Sequence, residues 1–289
     1  MDTFLLILQS IVQGIVQGIT EWLPISSTGH LKLLDAIWPM AMSESFGEFF
    51  EVFIQLGSIL AVVVLYFHKL NPLSPKKSKE QKTDTWVLWG KVLVASIPAA
   101  VLGLLIDDPM NDWFANYPLA EVAVIATTLL VYGVAFLIIE SRKYTPRIES
   151  DGALGFKTAF FIGMFQMLAL IPGTSRSGST ILGATLLGTS RAVAAEFSFF
   201  MALPAMLGAS GLKLVKILYE MVFEGLVITG TEWAALATAT VVAFVVSLLA
   251  IRFLMSFIQK HDFKPFGWYR IALALVLFLC LFVAPNVFV

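Results

Sequence analysis

The chain has 289 residues, of which 58% are hydrophobic and 13% are charged, and its mean hydropathy is +0.85. Soluble domains are about one quarter charged, so this composition excludes a soluble globular protein and indicates an integral membrane protein. The formal net charge of −1 gives no information about partners, and no nucleic-acid partner is expected. The single cysteine, Cys280, excludes a disulfide within the chain, and no Cys/His cluster suggests a transition metal.

The apolar runs predict six membrane-spanning helices, because each is close to the roughly 20 residues that a span requires. Two further segments, 4–38 and 153–188, are hydrophobic but interrupted near the middle by glycine, proline and charged residues. Broken backbone at membrane depth is tolerated only where protein or a water-filled cavity surrounds it. Both segments are therefore predicted to be re-entrant helix hairpins, and the first shows no signal-peptide cleavage pattern. The six predicted spans are Phe49–Phe67, Val87–Ile106, Leu119–Ile139, Val193–Leu214, Trp233–Phe253 and Tyr269–Val287.

Loop charges predict the topology. Lysine and arginine are concentrated in 67–85, 140–157 and 252–270, whereas the intervening loops are acidic or mixed. Basic loops face the cytoplasm, so the first hairpin enters from outside and the second from the cytoplasm. The halves 1–145 and 150–289 each contain one hairpin and three spans, and this odd number inverts them. The sequence thus predicts an all-α polytopic membrane protein with an inverted-topology repeat, an architecture also typical of transporters.

The first hairpin carries a polar face. Gln13, Gln17 and Glu21 are spaced four residues apart, which places them on one side of a helix. A carboxylate at the centre of a span costs about 2.5–3.5 kcal/mol and usually faces a cavity, where it has a function. Alternatively, Glu21 only pairs within the bundle and the glutamines bond neighbouring helices. Glu51 and Glu196 open predicted spans, where acids are ordinary, and are assigned only a supporting role.

A proline and a run of hydroxyl residues follow Glu21. Pro24 stops the first helix, and Ser26, Ser27 and Thr28 can cap the next one. A new helix N-terminus presents free N–H groups and a positive dipole end, which suit a phosphate. Capping explains one hydroxyl, but not three followed by His30, whose imidazole moves protons near neutral pH. The alternative is that His30 is a core histidine with satisfied hydrogen bonds.

The second hairpin carries the complementary charge. Thr174, Ser175, Arg176 and Ser177 follow a proline and lie between two glycines. The arginine fork matches phosphate oxygens in a bidentate way, and glycine lets the backbone approach closely. Alternatively, Arg176 pairs with Glu21 only to hold the hairpins together, and both interpretations can be true of the empty site.

Segments 21–30 and 172–180 resemble the two signature motifs of the undecaprenyl-pyrophosphate phosphatases, the bacitracin-resistance family. Segments 50–63 and 190–199 also match, as do hydropathy and length from end to end. The resemblance implies that the lipid carrier's diphosphate is hydrolysed to its monophosphate on the extracytoplasmic side of a bacterial inner membrane. The carrier is thereby recycled for cell-wall synthesis, and bacitracin resistance follows.

The resemblance also implies dependence on Mg²⁺ or Ca²⁺. The family takes Glu or Gln at position 17, and the Gln17 found here puts a metal site with two carboxylates at 17 and 21 in doubt. The expected partners are the polyprenyl diphosphate substrate and membrane lipids, and a homodimer is left open.

For the mechanism, Ser27 is expected to attack the terminal phosphorus, with His30 as general base or acid. In the main variant His30 is the nucleophile. Glu21 would hold the metal or orient the base, and Arg176 would clamp the transferred phosphoryl group. The further residues expected to bind phosphate are Ser26, Thr28, Thr174, Ser175 and Ser177. The rival functions are a transporter or flippase for the same lipid phosphate and a plain anion carrier.

Overall fold

A computed structural model describes residues 3–142 and 145–288, except for the side chains at positions 44 and 45. The described residues form helices and contain no β-strand, only a single bridge between Ile148 and Thr189. The helices are α1 (Thr3–Thr20), α2 (Ser27–Ile37), α3 (Glu44–Leu65), α4 (Phe67–Leu70), α5 (Lys79–Asn116), α6 (Pro118–Ser141), α7 (Phe156–Met167), α8 (Arg176–Leu186), α9 (Arg191–Tyr219), α10 (Gly230–Phe257) and α11 (Lys264–Val283). Short 3₁₀ turns occupy Leu168–Leu170 and Pro285–Phe288, and a π turn occupies Glu220–Glu224.

Seven helices in the described ranges are long and apolar enough to cross a membrane, namely the six predicted spans and α1. The all-α polytopic fold is thereby confirmed. Most spans begin earlier than hydropathy indicates, because a polar N-cap starts the helix before its apolar section. The last span ends at Val283 rather than at the predicted Val287, since Pro285 cannot continue the hydrogen-bond pattern of an α-helix. The capping side chains of α3, α5, α9 and α10 are Ser43, Ser78, Ser190 and Thr229.

The first predicted hairpin is α1, a break and α2. The side-chain amide of Gln9 donates to the Pro39 carbonyl at 2.9 Å, and that of Gln13 donates to Asp35 Oδ1 at 2.6 Å. The end of α2 therefore lies beside the beginning of α1, and the chain reverses at residues 21–26. Although α1 has the length and composition of a span, it forms one arm of this reversal.

The second predicted hairpin is α7, the 3₁₀ turn and α8. The hydroxyl of Ser179 donates to the Phe165 carbonyl, which ties the two arms together. A Cβ on Gly183 would lie 2.3 Å from the Phe165 ring, so glycine is required where the arms cross. The arms are shorter than a span, with 12 and 11 residues.

The two halves of the chain pack against each other reciprocally. Helix α1 packs along α10, and α7 packs along α5, so each hairpin contacts the second long helix of the other half. Helices α6 and α11 pair with each other, and so do α3 and α9. This exchange agrees with a repeat. The opposite orientation of the halves in a membrane stays a prediction.

Glycines allow α1 to pack closely on α10 and α7 to pack closely on α5. A Cβ on Gly14 would lie 2.6 Å from the Ala239 carbonyl oxygen, and one on Gly163 would lie 2.1 Å from that of Ala95. Behind the turns, Trp22 is fully buried and packs edge-on against Phe199, with ring centroids 5.3 Å apart. Large apolar side chains cover the outside of the bundle, as a lipid-facing surface requires.

We predict that Gly163→Ala destabilises the bundle, because the methyl group would press on backbone rather than on a flexible side chain. Overpacking of this kind costs about 1–3 kcal/mol. The thermal unfolding midpoint of the detergent-solubilised protein should fall by several degrees. The matched control is Gly208→Ala on α9, whose added Cβ meets nothing within 4 Å. Equal midpoints for the two variants would contradict the close α5–α7 packing.

Candidate functional site

Residues 21–26 of the first hairpin and 171–175 of the second form two turns, and these two turns have the same unusual backbone. Ser26 (φ 74°) and Ser175 (φ 69°) are the non-glycine residues with positive φ in the described part of the chain. Each caps the following 11-residue helix by accepting from a glycine N–H, Gly29 at 3.4 Å and Gly178 at 3.1 Å. Such conformations cost about 1–3 kcal/mol and persist only where the surroundings fix them. Strain at two matching turns indicates a functional site.

Glu21 and Arg176 form an ion pair between the turns. Arg176 Nη2 donates to Glu21 Oε1 at 3.0 Å, and the two side chains are only 13% and 6% exposed, respectively. The other carboxylate oxygen, Oε2, accepts from Gln17 Nε2 at 2.9 Å and from Ser27 Oγ at 3.2 Å. The predicted nucleophile, carboxylate and arginine are therefore linked through one side chain.

Serine hydroxyls and backbone carbonyls provide the remaining hydrogen bonds around this ion pair. Ser177 Oγ lies 3.2 Å from the Glu21 carbonyl and 3.3 Å from that of Leu23, and it bonds to Ser175 Oγ at 3.2 Å. Arg176 Nη1 donates to the Ser198 carbonyl on α9 at 3.0 Å. The guanidinium lies between the opposite turn and the first long helix of its own half, and its orientation is fixed from both sides.

A cavity of about 240 Å³ opens at this junction. Its polar lining consists of residues from both turns and one glutamine of α3, and its apolar wall includes small α9 side chains such as Ala205 and Ala209. The volume accommodates a phosphate-sized group beside a carboxylate, hydroxyls and a guanidinium. The polar lining residues are Glu21, Ser27, Thr28, Gln55, Ser175 and Arg176.

His30 lies apart from this lining. Its Nδ1 is 2.7 Å from the Ser26 carbonyl, and its Nε2 is 2.8 Å from the Tyr269 hydroxyl. Because a carbonyl only accepts, Nδ1 carries the proton and Nε2 accepts from the tyrosine. The two rings are stacked, with centroids 5.5 Å apart. In this arrangement both nitrogens are engaged away from the Ser27 hydroxyl.

The supporting acids also lie elsewhere. Glu51 lines a separate cavity of about 200 Å³ with Gln13 and Asp35. Glu196 pairs with Lys69 at 2.8 Å and lines a third cavity of about 700 Å³. Burial alone would lower the pKa of Lys69, but its hydrogen bonds to Asp151 and Glu196 hold that pKa above its ordinary value. Neither glutamate lines the Arg176 cavity.

Sequence reasoning missed two residues of α11. Arg270 is fully buried and donates to the carbonyls of Pro24 (3.2 Å), Gly173 (3.0 Å) and Thr174 (2.9 Å). Its neighbour Tyr269 holds the His30 ring. In the sequence, Arg270 is the last residue of the basic segment 252–270, which is predicted to be a cytoplasmic loop. The signal that marks it is a basic residue placed inside an apolar run, after the helix has begun at Lys264.

The oxygen atoms at this site fit a divalent cation that is bound partly by the protein and partly by a phosphate group of the substrate. The described residues hold no group of three or more His, Cys, Asp or Glu side chains suited to a metal. However, Gln17 Oε1 is buried without a hydrogen-bond partner, beside the carboxylate of Glu21. Magnesium commonly binds through one or two carboxylates, substrate phosphates and water. Glu21 supplies such a carboxylate, and the amide oxygen of Gln17 is a further oxygen ligand of the kind that Ca²⁺ accepts.

Comparison with known proteins gives a consistent result. Residues 10–276 match the family described as bacitracin resistance protein BacA. The undecaprenyl-diphosphatase of Lactiplantibacillus plantarum is 55% identical over 96% of both chains. That of Enterococcus faecalis is 52% identical over 93% of this chain and 95% of its own. Undecaprenyl-diphosphatase 1 of Clostridioides difficile is 50% identical, over 96% and 97%.

We predict that Arg176→Met destabilises the protein more than the double variant Glu21→Gln/Arg176→Met does. The single change leaves a buried carboxylate without its cation, a loss that costs about 3 kcal/mol or more. The double variant removes both charges and retains much of the volume. Thermal unfolding in detergent measures the difference. Equal losses of thermal stability in the two variants would show that the destabilisation does not come from an unpaired Glu21 carboxylate.

Proposed function

The chain belongs to the bacitracin resistance protein BacA family, and on that premise we propose that it hydrolyses undecaprenyl diphosphate to undecaprenyl phosphate and inorganic phosphate. This reaction recycles the lipid carrier for cell-wall synthesis, and it underlies bacitracin resistance. The observation that carries the proposal is the direct link from the Ser27 hydroxyl through the Glu21 carboxylate to the Arg176 guanidinium, at one cavity.

The charges of the site suit a diphosphate. The substrate carries about two to three negative charges, and phosphoryl transfer depends mainly on positioning and on electrostatic stabilisation. Arg176 supplies a bidentate cation, and α2 and α8 both direct their N-termini toward the strained turns. The Thr28 and Ser175 hydroxyls at the cavity add hydrogen-bond donors. The long prenyl chain remains in the membrane while the diphosphate enters.

In the proposed mechanism Ser27 Oγ attacks the terminal phosphorus, and the bond from that phosphorus to the bridging oxygen breaks. Undecaprenyl phosphate leaves, and water then hydrolyses the phosphoserine to release inorganic phosphate. We assign the proton of Ser27 to Glu21 Oε2, because that oxygen already accepts the hydroxyl at 3.2 Å. Arg176 binds the phosphoryl oxygens, and His30, bonded to the Ser26 carbonyl, supports the turn.

A divalent cation, Mg²⁺ or Ca²⁺, belongs to this proposal. Glu21 and the orphaned Oε1 of Gln17 are the side chains that would hold it. When bound, it would neutralise charge on the diphosphate. Gln17 is held beside Glu21 by its amide nitrogen, which donates to Oε2 at 2.9 Å, so the amide group must rotate before Oε1 and the carboxylate can share a cation.

The protein is a multi-pass membrane protein, and we propose that the site opens on the extracytoplasmic side. Three basic loops support this orientation, since they place the first hairpin outside. We also propose that 1–145 and 150–289 are inverted repeats, on the basis of their reciprocal packing and matching turns. A homodimer stays a prediction.

A flippase for the same lipid is the second candidate. The reciprocal packing of α1 on α10 and α7 on α5 supports it, because exchanged repeats around a central site are typical of transporters. Purified protein in vesicles loaded with a labelled prenyl diphosphate separates the two functions. Lipid movement without phosphate release would favour transport over hydrolysis.

The proposed function is tested by phosphate release from a long-chain prenyl diphosphate. Purified wild-type protein should release phosphate, and Glu21→Ala and Arg176→Ala should be inactive while eluting as folded protein. An inactive wild-type protein that is folded and supplied with Mg²⁺ would overturn the enzymatic assignment.

We predict that Ser27→Ala lowers kcat by about 10³-fold or more, because it removes the nucleophile. Wild-type enzyme quenched during turnover should hold a phosphoryl group that is stable to acid and labile to base, as a phosphoserine is. An acid-labile adduct would instead assign the nucleophile to His30. Ser141→Ala, at the end of α6 and exposed, is the matched control and should have wild-type activity.

We predict that a chelator abolishes phosphate release, that Mg²⁺ or Ca²⁺ restores it, and that Gln17→Glu lowers the half-saturating metal concentration several-fold. The second carboxylate adds charge beside Glu21, and ligand charge raises affinity for hard cations. Full activity in excess chelator would remove the cation from the mechanism. An unchanged half-saturating concentration would remove Gln17 from the metal site.

A further inference from the structure

Arg270 is a buried cation that the mechanism does not use. Its side chain has no exposed surface, and burying a charge is costly unless strong partners compensate it. In the described residues its hydrogen bonds go to backbone carbonyls rather than to a carboxylate. Its guanidinium also lies over the Tyr132 ring, 5.3 Å from the centroid. The hydrogen bonds to these carbonyls are therefore what compensates the buried charge.

Those carbonyls belong to both strained turns. Nη1 donates to Pro24, two residues before Ser26, and Nη2 donates to Gly173 and Thr174, directly before Ser175. One rigid, planar group therefore spans the two halves of the site. The Glu21–Arg176 pair also connects the turns, but its side chains must be free to meet substrate. Arg270 connects them through backbone alone, and this link can persist during turnover.

The surroundings are shaped to admit this guanidinium. A Cβ on Gly178 would lie 2.9 Å from Arg270 Nη1, so any larger residue at the start of α8 would press on the guanidinium. Helix α6 fixes the same turn, because Thr128 donates to the Pro172 carbonyl at 2.8 Å. On the other turn, Tyr269 holds His30, which bonds to the Ser26 carbonyl. The beginning of α11 therefore contacts both turns through neighbouring residues.

We propose that Arg270 is a positioning residue that fixes the two turns relative to each other, so that the Ser27 hydroxyl and the Arg176 guanidinium face one phosphoryl group. It does not contact the substrate. This inference rests on the proposed phosphatase activity. A misplacement of about 1 Å between reacting groups can cost roughly 100-fold in rate, so loss of the fork should appear in kcat.

The test compares Arg270→Lys with wild type in phosphate release from a long-chain prenyl diphosphate, with rates expressed per folded molecule. Lysine keeps the charge but cannot bridge both turns as a planar fork. We expect kcat to fall at least about tenfold, with KM nearly unchanged. Arg252→Lys, an exposed arginine on α10, is the matched control and should behave as wild type.

Gly178→Ala is a second variant that disturbs the Arg270 guanidinium without changing Arg270 itself. Its methyl group should displace Arg270, lower kcat similarly, and add little to Arg270→Lys in the double variant, because coupled sites are not additive. Gly211→Ala, whose Cβ meets nothing within 4 Å, is the control. Gly178→Ala also decides the test should Arg270→Lys not fold.

Three results would overturn the proposal. One is wild-type kcat in a folded Arg270→Lys or Gly178→Ala variant. Another is a rise in KM at unchanged kcat, which indicates substrate contact. The third is a loss of thermal stability with kcat per folded molecule retained, which indicates a structural role alone. Inactive wild-type enzyme would instead contradict the proposed function.

Discussion

The structure depends on one constraint: two breaks in membrane helices must satisfy their polar groups against each other. Both turns interrupt the regular hydrogen bonding of a helix, and Ser177 bonds to carbonyls of the opposite turn while Arg176 bonds to Glu21 across the junction. Arg270 takes up three more carbonyls from the two turns. Leaving such groups unpaired in an apolar interior would cost several kcal/mol each. The hydrogen bonds that satisfy the polar groups of the two turns are thus the same ones that bring the site residues together.

Close helix packing supplies the rigidity that the contact between the two turns requires. The arms of both hairpins lie against long helices of the other half, and glycines at Gly14 and Gly163 bring them within reach of facing backbone. The fixed scaffold holds Ser26 and Ser175 at positive φ, a strain that isolated turns would relax. In return, α2 and α8 begin at the cavity, with their N–H groups available for an anion.

Much of this was accessible from the sequence, because hydropathy, breakers and ionisable residues within apolar runs each have a direct physical meaning. The six spans, both hairpins and the meeting of Glu21 and Ser27 with Arg176 could be predicted. The surroundings of His30 could not be, since Tyr269 is 239 positions away and no local pattern pairs them. Arg270 was missed for a related reason, because a charge near the end of a basic loop looks like any other until the helix start is known. Glu51 and Glu196 both lie in the first half of a long helix, but packing places each beside a different cavity.

The ion pair between Arg176 and Glu21 also bears on how the proposed reaction would begin. Without substrate, Arg176 and Glu21 neutralise each other, and Ser27 donates to the same carboxylate. An entering diphosphate competes with Glu21 for the arginine, and its greater charge favours the exchange. Oε1 is then released from the arginine, while Oε2 still accepts the Ser27 hydroxyl. In the proposed mechanism, substrate binding thereby frees Glu21 to take the serine proton, while the carbonyl contacts of Arg270 would hold the backbone in place throughout the exchange.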